Sequence, residues 1–559
     1  MERLTKSIGI GIVFFLPLLF AACGDEELVE VEREPAIQVA VSATPESLDT
    51  GEMVTVQATV TRGADRALSL RWKALGGTFV DAEAESTSWI APDDPDLYTL
   101  SVVATDGDEV GIGKADVWVA TYVAADEPHY LGAEACGLCH SGGSGGDQYT
   151  TWSETNHAHA VETLAEIGQD NNSRCLGCHT VGTYGWLADV NLDNGGFDET
   201  AVERLHGVQC ENCHGPGSQH PNVEFTSVEA TLSDTLCGQC HTDEHHPTWD
   251  EWLESPHNDV YAYPAGRASC AKCHNGLHAA EYLNDPEGFM DPSEDPEVVI
   301  DITCAVCHDP HGNDNPGQLR DASVTDRALP SAILVEAAGA GRLCMSCHNG
   351  RRSSEDVDEQ ITDGDDHFGP HHAVQGDMLA GVNANEDVDP TFSFASSKHI
   401  LVEDACVTCH TTRVEEELPY FTGHTFEPTT SACAPCHGAI SDFADIMAKE
   451  DYDGDGAVEA VQEEVEGLLD TLKVAIIEAS TSEAAQDSLE NAEDFSEPLG
   501  NASITTADQR KAGYNWAFVE FDQSKGVHNT TYAIQLLQRS ILFLDSEKLG
   551  KAYLLTEAN

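Results

Sequence analysis

A five-residue pattern, C-x-x-C-H, occurs nine times between Cys136 and His437, and no other feature constrains this chain so tightly. The copies begin at Cys136, Cys175, Cys210, Cys237, Cys270, Cys304, Cys344, Cys406 and Cys433. Their second thiols are Cys139, Cys178, Cys213, Cys240, Cys273, Cys307, Cys347, Cys409 and Cys436. They close on His140, His179, His214, His241, His274, His308, His348, His410 and His437. Eighteen of the nineteen cysteines are used in this way. A single C-x-x-C pair fits a thioredoxin-like redox site or half of a zinc site. Neither calls for a histidine after the second cysteine in all nine copies. The pattern fits covalent attachment of c-type haem, in which both thiols bond to the vinyl groups and the histidine lies under the iron. Nine c-type haems are the expected cofactors.

The motif region, about residues 129 to 438, allots about 34 residues to each motif, too few for a separate apolar core around each cofactor. The haems themselves must form the core, wrapped by Gly-, Pro-, Asn- and Asp-rich loops. The sixth ligand of each iron then separates a wire from a catalyst, because an iron held by two imidazoles has no open position. Twenty-five histidines leave sixteen beyond the motifs. Nine positions among them suit a distal ligand: His157 or His159, His220, His257, His278, His311, His371 or His372, His399, His424 and His528. His129, His206, His245, His246 and His367 read instead as surface or core residues. Methionine is a poor alternative, since only six occur.

GVQCENCHGPGSQH, TWSETNHAHA, WDEWLESPH, CHDPHG and YNWAFVEFDQSKGVHNTTYA together resemble the multihaem cytochrome c superfamily. That group includes cytochrome c-554, octahaem hydroxylamine oxidoreductases and pentahaem ammonia-forming nitrite reductases. The resemblance covers about Tyr130 to Leu544. It implies a loop-rich, haem-packed domain closed by long C-terminal helices that can also support a homo-oligomer. Nitrite reductases of this type carry a lysine in one motif, whereas all nine here end in histidine. Hydroxylamine oxidoreductases need a tyrosine cross-linked to the catalytic haem, and none of the thirteen tyrosines stands out for that role.

Ahead of the motifs, Arg3 and Lys6 precede an uncharged apolar run, Ile8 to Phe20, which is shorter than the ~20 residues of a spanning helix. Residues 1–22 read as a lipoprotein signal peptide, with Cys23 as the lipid-attachment residue and export across the inner membrane as the consequence. Residues 23–35 form an acidic tether. Residues 36–122 alternate apolar and polar residues in about seven short runs separated by turn signals, which describes a β-sandwich resembling immunoglobulin-like or polycystic-kidney-disease-type domains. Trp72 is expected in its core on a central strand.

The expected architecture is therefore multidomain: the sandwich, a nonahaem domain over 129–445, and a helical region over 446–559. That last region opens with Asp451, Asp453, Asp455 and Glu459 around Gly456, which match the first part of a calcium loop, although the twelfth position is Gln462. The same residues also suit an acidic helix start. Val458, Val461, Val465, Leu468 and Leu472 mark one apolar helix face, and two further helices are expected over 507–521 and 530–544.

The 98 acidic against 27 basic residues give a net charge of −71, which excludes nucleic acid as a partner and matches a salt-adapted surface. The resulting expectation is an exported, lipid-anchored electron carrier in the periplasm or at the outer membrane or cell surface. Redox proteins or extracellular electron acceptors would be its partners. The competing readings are an enzyme acting on hydroxylamine, nitrite or a sulfur oxyanion at one open haem, and a subunit of an extracellular haem filament or surface conduit.

Overall fold

The computed structural model describes residues 37–44, 47–48, 51–61, 67–92, 96–107, 110–119, 129–142, 147–183, 195–198, 201–219, 232–320, 335, 338–352, 354–365, 367–415 and 418–556. The signal segment, Cys23, the tether and His220 lie outside these residues. The chain divides into two compact units, residues 1–125 and 126–559.

In the first unit, alternation produces strands because successive side chains of an extended chain point to opposite faces. The strands are β1 (Gln38–Thr44), β2 (Ser47–Leu48), β3 (Met53–Thr61), β4 (Ser69–Lys73), β5 (Thr78–Phe79), β6 (Ser86–Ile90), β7 (Asp96–Thr105) and β8 (Val110–Val119). One sheet runs β1-β3-β6-β5 and the other β2-β8-β7-β4. All pairings are antiparallel except β2 with β8. Val54, Val56 and Trp89 from one sheet share a core with Leu70, Trp72, Leu100, Val102 and Val117 from the other.

Trp72 is 2% exposed and its indole nitrogen donates to the Ala84 carbonyl at 2.8 Å. Its strand, β4, stands last in its sheet rather than at the centre, so burial comes from the facing sheet and not from strand position. Gly111 and Gly113 let β1 lie close on β8: a Cβ at Gly111 would stand 2.4 Å from the Ile37 carbonyl oxygen.

In the second unit, regular structure is sparse among the motifs and dense after them. Four helices matter here: α1 (Thr248–Glu254), α2 (Val461–Glu478), α3 (Ala507–Asp522) and α4 (Thr530–Leu544). On α2 the 3–4 residue repeat buries Val465, Leu468 and Leu472 completely, while Val458 precedes the helix and is exposed. Helix α3 is buried on nearly every side, so its polar side chains all need partners. Gln509 donates to the Ile476 carbonyl, Arg510 to those of Ile361 and Thr505, and Asn515 to that of Asn385. These bonds tie the C-terminal helices into the same compact unit as the motifs.

Candidate haem-binding sites

Each motif is carried on or beside one short turn of helix, such as Ser173–His179, Cys210–His214, Cys406–His410 or Thr430–His437. Positions i, i+3 and i+4 share one helix face, so the two thiols and the imidazole of a motif converge. The side chain of Cys139 lies outside the described residues. Helices this short do not persist alone, and buried side chains fix them from a distance. Glu211, inside motif 3 and 3% exposed, accepts from the amides of Leu131, Gly132 and Gly217, the last two at 2.7 Å. Gln209 accepts from the Ala133 amide at 2.5 Å, which holds motif 1 against motif 3.

Seven motif histidines face a second histidine brought from elsewhere in the chain. His214 faces His311, His241 faces His157, His348 faces His257, His437 faces His399 and His410 faces His528, with ring centroids 6.1 Å apart in every case. His274 faces His371 at 5.9 Å, and His308 faces His424 at 6.3 Å. A metal ion about 2.0 Å from an imidazole nitrogen on either side would put two ring centroids about 6.3 Å apart. The spacing therefore suits one iron between each pair.

Hydrogen bonds at the other ring nitrogen orient these imidazoles. Nδ1 of His179 bonds the Ala160 carbonyl at 2.6 Å, that of His308 the Gly317 carbonyl at 2.5 Å, and that of His410 the Phe426 carbonyl at 2.7 Å. His399 uses the Val527 carbonyl at 2.6 Å, and His528 the Asp522 carboxyl at 2.6 Å. With an acceptor on Nδ1, that nitrogen carries the proton and Nε2 is the one available to a metal. Burial, reinforced by the facing His157, pushes His241 down to about 4. Burial together with His348 does the same to His257, and burial followed by Arg351 and His274 does so to His371. His528 is the exception: burial lowers it, but the charge and hydrogen bond of Asp522 outweigh that and hold it above the usual range.

Two of the facing histidines are presented by the same device. Trp152 donates its indole N–H to the Val208 carbonyl at 2.9 Å, while the Val208 amide donates to the carbonyl of His157, five residues after the tryptophan. Trp252 donates to the Ile302 carbonyl at 3.0 Å, and the Ile302 amide donates to the carbonyl of His257, again five residues on. Val208 and Ile302 each stand two residues before a motif. The sequence spacing W-x-x-[ST]-x-H is the signal for this clamp, with Thr155 and Ser255 each capping back onto the tryptophan carbonyl.

The remaining histidines lie elsewhere. His159 has both nitrogens engaged, Nδ1 with Glu162 at 2.8 Å and Nε2 with the Ser153 carbonyl at 3.1 Å. His278 bonds Glu281 at 3.0 Å. His372 lies 4.0 Å from the Phe521 ring. His206 packs on Phe197 at 5.5 Å and His245 on Tyr420 at 5.9 Å. His129 is 6% exposed and His367 is exposed. His246, which sequence reasoning set aside, lies near enough to the motif histidine His179 for their charges to interact: after burial, His179 is the main cause of its lowered pKa.

Motifs also approach one another. The thiols of Cys136 and Cys210, Cys178 and Cys240, Cys237 and Cys304, and Cys344 and Cys406 lie close enough to shift one another's ionisation. Phe426 links three sites: its ring centroid is 4.7 Å from that of His257 and 5.8 Å from that of His424, and its carbonyl holds His410. Its φ of 59° is uncommon for a bulky residue and aims that carbonyl.

In the acidic loop, carboxyl oxygens of Asp451, Asp453 and Glu464 lie within 4.8 Å of one another, as do those of Asp453, Asp455 and Glu459. Gln462 turns away to donate to the Ser524 carbonyl at 3.2 Å. Glu464, which the sequence pattern did not single out, is buried and accepts from the amides of Tyr452, Asp453 and Glu459.

Three family models match parts of the chain. Residues 135–215 match cytochrome c554 and c-prime, residues 297–353 a doubled CXXCH motif, and residues 389–557 cytochrome c552. The multiheme cytochrome MtrA of Shewanella baltica is 25% identical over 203 residues, which is 32% of this chain and 53% of that protein. The C-type polyheme cytochrome OmcB of Geobacter sulfurreducens is 27% identical over 207 residues, 33% of this chain and 26% of that one. Cytochrome c-554 of Nitrosomonas europaea is 33% identical over 113 residues, 17% and 41% respectively. The chain thus spans about half of the first relative and about a quarter of the second. No solved structure matches. Among the described residues, no helix is long and apolar enough to cross a membrane.

Proposed function

The chain is a multihaem c-type cytochrome, and from that premise we propose that it carries electrons through nine covalently held haems ligated mainly by paired histidines. One observation supports this above the rest: seven motif histidines face a second imidazole at 5.9–6.3 Å. When bound there, c-type haem supplies one-electron chemistry. The residues of this chain do the rest. The motif thiols fix the group, and the carbonyls of Ala160, Gly317, Phe426 and Val527 lock the imidazole orientation. Two imidazoles leave no coordination position for a substrate.

His246 extends the proposed ligand set at His179, and His220, which lies outside the described residues, is proposed as a further distal ligand. The proximity of neighbouring motifs supports electron exchange from site to site. The first unit, read as an immunoglobulin- or polycystic-kidney-disease-like sandwich, serves as a spacer beyond a lipid-bearing Cys23 and its tether. In this reading the protein is exported and works in the periplasm or at the outer membrane, delivering electrons to redox proteins or extracellular acceptors. Calcium in the loop from Asp451 to Glu464 is the second proposed cation.

Stopped-flow oxidation of the fully reduced protein tests the reading. A soluble outer-sphere acceptor should withdraw nine electrons per chain, while nitrite, hydroxylamine and tetrathionate should produce no turnover. Sustained turnover of any of the three would replace the carrier with an enzyme.

A further inference from the structure

Helix α3 ends on Asp522, whose side chain is 0% exposed and whose Oδ1 accepts from Nδ1 of His528 at 2.6 Å. The other carboxyl oxygen, Oδ2, accepts from the Ser524 hydroxyl, and the same hydroxyl oxygen accepts from the His528 amide at 3.1 Å. The aspartate is therefore fixed on both oxygens, and it fixes the imidazole in turn.

The contrast with the other facing histidines gives this bond its meaning. His179, His308, His410 and His399 use neutral backbone carbonyls, and His348 is 3.3 Å from the Gln375 amide oxygen. His311 has a carboxyl partner, Asp309, but at 3.5 Å and with the imidazole half exposed. A buried carboxyl on Nδ1 makes the imidazole a stronger electron donor through Nε2. It also adds negative charge where low dielectric strengthens it. The C-terminal end of α3 adds its partial negative charge at the same place. Gln375 secures that end by donating to the Phe521 and Asp522 carbonyls, both at 3.4 Å, while its oxygen faces His348.

We infer that Asp522 is a positioning residue that acts through His528 to make the His410 and His528 site the one where an electron is held less tightly than at its neighbours. Donor strength and negative charge both favour the ferric state, so the two effects have the same sign. The site neighbours both motif 7 and motif 9: Cys406 lies near Cys344, and Cys409 near Cys433. An electron moving along this stretch therefore meets a step there, which sets where charge accumulates on either side. The inference rests on reading His410 and His528 as a ligand pair.

The test is a reductive potentiometric titration of the full-length haem-loaded protein, followed by visible absorbance and electron paramagnetic resonance. Asp522→Asn keeps an acceptor for Nδ1 and removes the charge. One step should move positive, raising the ferrous-to-ferric ratio at fixed poise about tenfold, or about 59 mV for one electron, with altered g values in one low-spin signal. Asp522→Glu should restore much of the native value. His528→Ala locates the site by turning one low-spin signal high-spin. If His528→Ala changes no signal, the ligand reading fails. If it does and Asp522→Asn moves no step, or moves one negative, the inference about Asp522 is wrong while the ligand reading survives.

Discussion

Glu251 is the residue whose removal should most clearly separate positioning from ligation. It sits on α1, is 8% exposed, and reaches a segment far along the chain. There it accepts from the Thr422 amide, the Thr422 hydroxyl and the His424 amide, each at 2.8 Å. Those three bonds hold the turn that presents His424 to His308. In Glu251→Ala three donors lose their acceptor, at about 1–3 kcal/mol for each one left unmet. Water entry and relaxation should bring the total to the lower part of that sum, about 3–5 kcal/mol. At 1.4 kcal/mol per factor of ten, that raises the population with the turn open by about a hundredfold to several thousandfold. The expected readout is a new high-spin ferric signal from one site in nine, with exogenous cyanide binding to that site alone. Glu251→Gln keeps one carbonyl oxygen and should give a weaker form of the same change. An alanine variant with native spectra and native thermal stability would refute the claim that Glu251 positions His424.

The same geometry predicts that His159→Ala leaves every low-spin signal unchanged, because both its ring nitrogens are engaged, by Glu162 and by the Ser153 carbonyl. His246→Ala should instead create one high-spin signal. Trp72→Ala removes a side chain that is 2% exposed and should cost about 3–5 kcal/mol. Calorimetry should then show the transition of the first unit falling by about 10 °C or more, with haem absorbance unaffected.

The motifs and most of their facing histidines were legible because iron ligation demands particular atoms, and few residues supply them. His257, His311, His424 and His528 stood out by their flanking residues, His399 was a candidate with weaker flanks, and the choice between His157 and His159 needed the structure. Both lie in TWSETNHAHA, and only the fold shows Glu162 and Ser153 occupying the second ring. His246 was set aside with the other leftover histidines, because its proximity to His179 arises only once residues far apart in sequence meet. Glu464 escaped for a related reason: it stands two places beyond the twelfth loop position, and the helix start carries it back over the loop. The long strands were readable from alternation. Two-residue strands such as β2 and β5 have too little sequence to alternate, and the edge position of β4 depends on pairing rather than on its own residues.

The most direct measurement is electron paramagnetic resonance on the oxidised, purified protein, with haem content fixed by pyridine haemochrome absorbance. The account predicts nine haems per chain and only low-spin ferric signals, unchanged by nitrite or hydroxylamine. A high-spin component in the native protein that shifts when either is added would contradict it, since one iron would then lack its second imidazole and stand open to substrate.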